Sequence, residues 1–136
     1  MSKSIFWDTS GWFCLYVKSE ELHKKTLKLA DSQIQNKIPI ITSDFVIQET
    51  MTLFMARGQQ NEARQFWANF KNSKIIRVEK INEIRFPKSG DFFCDQIEQN
   101  YSFTDVSSFL LMKELKIHTA VTLDKHFVKA GFQVLP

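Results

Sequence analysis

The chain has 136 residues, a formal net charge of +3 and 43% hydrophobic residues, 13 of them Phe. Four glycines and three prolines make up about 5% of it, against ~12% in an average protein. That excludes collagen-like and Pro-rich classes, disfavours a turn-rich all-β fold, and leaves a chain able to bury one core as a single domain, 1–136.

Ile5-Phe6-Trp7 is a short apolar run ending at Asp8 and reads as a buried strand. Ser10-Gly11 turns the chain into Trp12–Val17, the first turns of a helix. Ser19 before Glu20-Glu21 predicts a helix start, with helical spacing to Asn36. A second strand is expected over 38–42, with Pro39 at its start, where a missing donor matters least. Ser43 or Asp44 then caps a helix to Arg57, stopped by Gly58.

The next helix, 61–70, is expected to bury Ala63, Phe66, Trp67 and Phe70. A short strand follows at 75–78. Between Arg85 and Asp95, Pro87 and Gly90 break the pattern, so a helix is expected only after them. Thr104 is read as the cap of an apolar, buried helix from Asp105 to Leu115. Thr119–Leu123 is a strand ending at Asp124. Phe127 and Val128 lie on a short helix stopped by Gly131, and Phe132–Val134 is a last strand. Strands alternating with helices imply an α/β fold with a mainly parallel sheet, whose strand C-termini share one ligand-binding edge.

The longest apolar run, Trp12–Val17, is far short of the ~18 residues a membrane span needs. No apolar stretch resembles a signal peptide, so a cytoplasmic protein without a membrane partner is expected. Cys14 and Cys94 lie beside aromatic residues and read as buried, reduced thiols. The charge of +3 permits nucleic-acid binding but is not clustered; Lys24, Lys25 and Lys28 read as the solvated face of a helix.

Four acids stand out because their neighbours are apolar. Asp8 and Asp124 end strands, Asp105 opens the most apolar helix, and Glu49 shares a helix stripe with Val46, Leu53 and Ala56. Singly, Asp8 or Asp124 could cap a helix, Asp105 suits a helix dipole, and Glu49 could pair with Arg57, Arg64 or Arg85. Together, the parallel arrangement brings all four toward one sheet edge. Carboxylates crowded there repel, and a divalent cation removes the conflict. Hard oxygen ligands without a Cys or His cluster select Mg²⁺ or Mn²⁺ over Zn²⁺. The chemistry this suggests is metal-assisted phosphodiester hydrolysis.

At these acids the sequence resembles the PIN-domain ribonucleases, and within them the VapC-type toxins of toxin–antitoxin pairs. The matching stretches are Phe6-Trp7-Asp8-Thr9-Ser10, Ser43 through Glu49-Thr50, Ser102-Phe103-Thr104-Asp105 through Phe109, and Thr122-Leu123-Asp124-Lys125-His126-Phe127 through Gly131-Phe132. The resemblance implies a PIN-like three-layer fold and a Mg²⁺- or Mn²⁺-dependent endoribonuclease acting on RNA. It also implies a homodimer and a cognate antitoxin whose tail reaches the acidic site. Asp8, Glu49, Asp105 and Asp124 match the catalytic, metal-binding quartet, and Ser10, Thr104 and Thr122 match supporting hydroxyls. The stretch from Arg85 to Asp95 departs from the helix many relatives keep.

Within this resemblance Asp8 and Asp105 are the most direct metal ligands. Glu49 is a ligand or a water-orienting base, and Asp124 binds a second metal or acts through water. His126 reads as structural or substrate-adjacent, and with Lys125 is a candidate substrate contact. Arg57, Arg64 and Lys113 are weaker candidates for phosphate contacts. Trp7, Trp12 and Phe13 read as core rather than as base-stacking surfaces. Two other readings compete. A haloacid-dehalogenase-like phosphatase would use Asp8 as nucleophile but expects an acid at position 10, which is Ser10. A non-catalytic PIN-like RNA-binding or scaffold domain would be expected to lack part of the quartet.

Overall fold

A computed structural model describes residues 3–136. Five strands carry the frame: β1 (Ile5–Trp7), β2 (Ile40–Ser43), β3 (Ile76–Glu79), β4 (Thr119–Val121) and β5 (Gln133–Leu135). Seven helices surround them: α1 (Thr9–Tyr16), α2 (His23–Gln35), α3 (Asp44–Ala56), α4 (Gln60–Asn72), α5 (Arg85–Asp95), α6 (Phe103–Glu114) and α7 (Lys125–Lys129). The sheet order is β3-β2-β1-β4-β5, and every pairing is parallel. The expected mainly parallel α/β architecture is therefore present, with an entirely parallel sheet.

This order places the reversal of strand winding at β1, which pairs with β2 on one side and β4 on the other. Open α/β sheets bind ligands at the carboxyl edge of such a point. Asp8 follows β1 there, and its N–H donates to Val121 O at 3.1 Å, tying it to the end of β4.

The core lies around β1 and under α1. Trp7 and Trp12 are fully buried, with ring centroids 4.9 Å apart. Trp7 Nε1 donates to Gln33 Oε1 at 2.7 Å, and Trp12 Nε1 donates to Thr42 Oγ1 at 3.3 Å. Each indole thus satisfies its polar edge inside the protein, as buried tryptophans require. Trp7, Trp12 and Phe13 are core residues and offer no face for a nucleic-acid base.

Gly11 is required by close packing. A Cβ at this position would lie 2.5 Å from Val121 O and 2.9 Å from Val121 Cγ1. Val121 O also accepts the Asp8 N–H, so it has little freedom to retreat. Overpacking of this kind destabilises by about 1–3 kcal/mol, and a rigid carbonyl places Gly11→Ala near the top of that range. A denaturant midpoint equal to that of the parent protein would refute this packing role.

Several expectations need correction. The second helix begins at His23, not at Ser19, and Leu22 is its N-cap. Tight turns link Glu20 N to Val17 O and His23 N to Glu20 O, and His23 Nδ1 lies 2.8 Å from Cys14 O. The segment folds back onto the last turn of α1 before helix geometry can propagate.

Arg85–Asp95 is one continuous helix. Pro87 sits in its first turn, where the N–H has no intrahelical acceptor, so the ring removes nothing. The N-terminus is instead anchored by Arg85. Its guanidinium forks onto Glu114 through Nε and Nη2 and reaches Glu79 Oε1 and Lys80 O through Nη1, at 3.1 and 2.8 Å. This binds α5 to α6 and to the end of β3. Gly90 lies inside the helix, where a Cβ would meet the Phe103 ring at 3.8 Å, an ordinary contact.

Trp67 is 46% exposed rather than buried. Ala63, Phe66 and Phe70 form the inward stripe of α4, and Trp67 packs edge-on against Phe70 at its margin. Both cysteines are free, but only Cys14 is buried; Cys94 is exposed near the end of α5. No helix among the described residues is long and apolar enough to cross a membrane.

Candidate active site

Four elements deliver the acids. Asp8 follows β1, Glu49 lies in the second turn of α3, Asp105 is in the first turn of α6, and Asp124 caps α7 after β4. All four line one cleft of about 360 Å³, together with Thr9, Ser10, Leu53, Asn100, Ser102 and His126. A larger concavity of about 440 Å³ between α5 and α6 mixes Arg85 and Lys88 with Asp91, Asp95 and Glu114, so its charges compensate one another. The acidic cleft has no such balance.

Each carboxylate is held through one of its two oxygens. Asp8 Oδ2 accepts the Thr122 hydroxyl at 2.9 Å, and Glu49 Oε1 accepts the Thr9 hydroxyl at 2.6 Å. Asp105 Oδ2 accepts the Ser102 N–H at 3.2 Å and lies 3.3 Å from His126 Nδ1. Asp124 Oδ1 accepts the His126 N–H at 2.9 Å. Holding one oxygen fixes the orientation of the other.

Asp8 is the N-cap of α1 by backbone geometry, yet its side chain makes no capping bond. Its Oδ1 is buried with no hydrogen-bond partner among the described residues. A buried, unpartnered carboxylate oxygen is costly unless it is protonated or meets a cation. Burial pushes the Asp8 carboxyl up to about 7; the Thr122 hydroxyl and the nearby Thr9 N–H oppose the rise, and the charges of Asp105 and Glu49 reinforce it. Asp105 is also raised, first by burial and then by the neighbouring charge of Asp124. The donor set is rich in hard oxygens, crowded and partly desolvated, and so fits a divalent cation.

A hydroxyl chain stiffens the Asp8 corner. Thr122 has one hydroxyl proton, which goes to Asp8. The 3.1 Å Ser10–Thr122 contact must therefore be donated by Ser10, which itself accepts the Leu123 N–H at 2.8 Å. Thr122 Oγ1 also accepts the Asp124 N–H at 3.0 Å. Ser10 and Thr122 thus join the ends of β1 and β4 and hold Asp8 and Asp124 in register.

Residues 5–133 match the family described as PIN domain. The chain belongs to the PIN-domain family. Two relatives are each named "23S rRNA-specific endonuclease VapC20", from two strains of Mycobacterium tuberculosis. Each is 32% identical over 129 residues, covering 94% of this chain and 95% of the relative. A crystal structure of Mycobacterium tuberculosis VapC20, described as a Sarcin-Ricin loop cleaving toxin, superposes with a TM-score of 0.84 at 30% identity. It covers 95% of this chain and 96% of that one. The resemblance and the PIN-like fold expected from the sequence are both present.

This PIN domain brings all four expected acids together and places Ser10, Thr122 and His126 beside them. Glu49 takes the Thr9 hydroxyl rather than an arginine; Arg85 is engaged by Glu79 and Glu114. Ser102, not Thr104, caps α6, and its hydroxyl and N–H form a reciprocal capping box with Asp105. Thr104 falls inside the helix, where its carbonyl accepts the Ser107 hydroxyl. Lys125 is exposed, adjoining Asp124 in sequence. Arg57 lies over the Phe13 ring and Lys113 over the Phe92 ring, while Arg64 bonds Asn61.

Sequence reasoning missed Thr9, Ser102 and Asn100. The spacing Ser-x-x-Asp before an apolar run is a capping-box signature and would have found Ser102. Asn100 adopts a left-handed conformation, φ 60°, which Asn tolerates better than most residues. Thr9 carries no local signal, because its partner Glu49 is 40 residues away.

Proposed function

We propose that this PIN domain, acting as one domain over 1–136, is a divalent-metal-dependent endoribonuclease and the toxin of a type II toxin–antitoxin pair. The observation that carries the reading is the convergence of Asp8, Glu49, Asp105 and Asp124 on one cleft, with the Asp8 Oδ1 buried and unpartnered among the described residues. Asp8 and Asp105 would hold the ion most directly, with Glu49 and Asp124 completing the site. Bound Mg²⁺ or Mn²⁺ would supply a better water nucleophile and stabilise charge developing on the phosphate.

The protein's own groups have defined tasks around that ion. Thr122 and Thr9 hold the Asp8 and Glu49 carboxylates in place. Glu49 is half-buried at the cleft wall and is suited to orient a water. Exposed Lys125 and half-buried His126 are candidates to meet the substrate phosphates. A haloacid-dehalogenase mechanism has no place here, because position 10 is a serine committed to the Thr122 chain. The complete quartet likewise supports catalysis over scaffolding.

The similarity to VapC20 makes a folded ribosomal RNA loop the first substrate to test. We also infer a cognate antitoxin, a homodimer and a cytoplasmic site of action. Trp67 and Met55 on one side, and Ile84 and Phe86 on another, supply exposed apolar surface for protein partners. The test is cleavage of a sarcin–ricin-loop RNA by purified protein with Mg²⁺ or Mn²⁺. Cleavage that stops with EDTA and with Asp105→Asn is expected. Undiminished cleavage in EDTA would refute metal dependence.

A further inference from the structure

Asp105, Asp124 and His126 each offer one ligand atom, and these atoms lie within 4.8 Å of one another. His126 Nδ1 is 3.3 Å from Asp105 Oδ2 and 3.3 Å from Asp124 Oδ1. The ring is positioned rather than free. Its backbone N–H is bonded to Asp124, and the Tyr101 ring packs edge-on against it at 5.2 Å and 80°. Tyr101 is itself covered by the Lys129 ammonium at 5.8 Å from its centroid. The same cleft contains the buried Asp8 Oδ1, unpartnered among the described residues. A nitrogen donor therefore faces the acids where a cation would sit.

We propose that His126 Nδ1 is a ligand of the divalent ion, and that it makes this site select Mn²⁺ over Mg²⁺. The inference rests on reading the cleft as a metal-dependent nuclease site, and specifies which ion that site takes. Carboxylates alone suit Mg²⁺ and Mn²⁺ alike, whereas imidazole favours transition metals over Mg²⁺. Nδ1 ligates as neutral imidazole, with the ring proton on Nε2. In that arrangement the 3.3 Å contacts to the two acids become shared coordination rather than hydrogen bonds. Each acid still has a second oxygen to offer.

The test uses the full chain loaded with Mn²⁺ alone. Electron spin echo modulation of bound Mn²⁺ reports directly on a coordinated ¹⁴N. Modulation is expected in the parent protein and is expected to vanish in His126→Gln. Calorimetry should show Mn²⁺ affinity falling at least about tenfold in that variant, the range lost even when outer-sphere support of a metal is removed. Mg²⁺ affinity should change less than about threefold, because oxygen ligands dominate its binding.

Mn²⁺ bound without ¹⁴N modulation would overturn the proposal, as would modulation that survives in His126→Gln. In either case continued Mn²⁺-dependent RNA cleavage would leave the nuclease reading standing. No Mn²⁺ binding together with no metal-dependent cleavage would overturn both. The first measurement is made on the parent protein, so the proposal stays testable even if the variant folds poorly.

Discussion

Asp8→Asn should abolish metal-dependent RNA cleavage and, at the same time, make the metal-free protein more stable at pH 8. The activity loss should be at least about 10²–10³-fold, the scale for removing one group that stabilises charge in a transition state. The stability gain has a separate cause. In the parent protein the ionised Asp8 is buried, and its Oδ1 has no partner among the described residues. A pKa of about 7 against an ordinary 3.8 corresponds to about 4 kcal/mol of differential destabilisation of the charged form. An amide removes that penalty and still accepts the Thr122 hydroxyl. It places an NH₂ where Oδ1 was, which returns about 1–3 kcal/mol if unpaired. The balance is a gain of about 1–3 kcal/mol, measured by urea unfolding in EDTA. A destabilised variant would show that Asp8 is a structural carboxylate. A stabilised but inactive one is the signature of a site held ready for a cation.

The same physics governs what could be read from the sequence. Asp8 was legible because a carboxylate directly after an apolar strand is out of place in a core, and a parallel sheet puts such ends on one edge. Asp124 was legible from the same pattern, although β4 stops at Val121 rather than Leu123, and Asp124 follows after two intervening residues as the cap of α7. Glu49 was legible from its apolar neighbours one and two turns away. Less was visible where the controlling contact is distant in sequence. The N-terminus of α5 is set by Arg85 meeting Glu114, 29 residues on, and no local pattern announces that pairing. Trp67 was misplaced because it adjoins the inward stripe of α4, and one step of about 100° separates core from surface. His126 was visible as a residue after a strand end, but its distance from Asp105 depends on the packing of α6 against α7.

Legibility therefore followed the separation between an element and whatever fixes it. Caps such as Ser43, whose hydroxyl accepts the Val46 N–H, need only three residues of context. The Ser10–Thr122–Asp8 chain needs 112 residues of separation to close, yet it is what makes the acidic corner rigid. Matching a family's residues supplied that long-range information; periodicity did not.

Metal should stabilise this protein far more at pH 8 than at pH 5.5. Asp8 and Asp105 both carry raised folded-state pKa values, so over the acidic range the folded chain holds protons that the unfolded chain has lost. Stability then falls as pH rises, because the unfolded state binds fewer protons. For Asp8 the loss begins near 3.8, the ordinary value, and is complete above about 7. Asp105 adds a decrease of the same sign. The Glu114–Arg85 pair works in the opposite direction, since Glu114 is lowered by Arg85 and loses its contribution in acid. Glu114 is half exposed, so solvent screens the pair and its effect is small. The metal-free protein should therefore melt at a lower temperature at pH 8 than at pH 5.5. A saturating divalent cation binds the ionised cluster of the folded state and reverses that loss. The expected result is a rise in Tm with Mn²⁺ that is at least about twice as large at pH 8 as at pH 5.5. The difference should vanish in Asp8→Asn if Asp8 dominates it. An equal rise at both pH values in the parent protein would mean that the ion binds somewhere other than the Asp8 cleft.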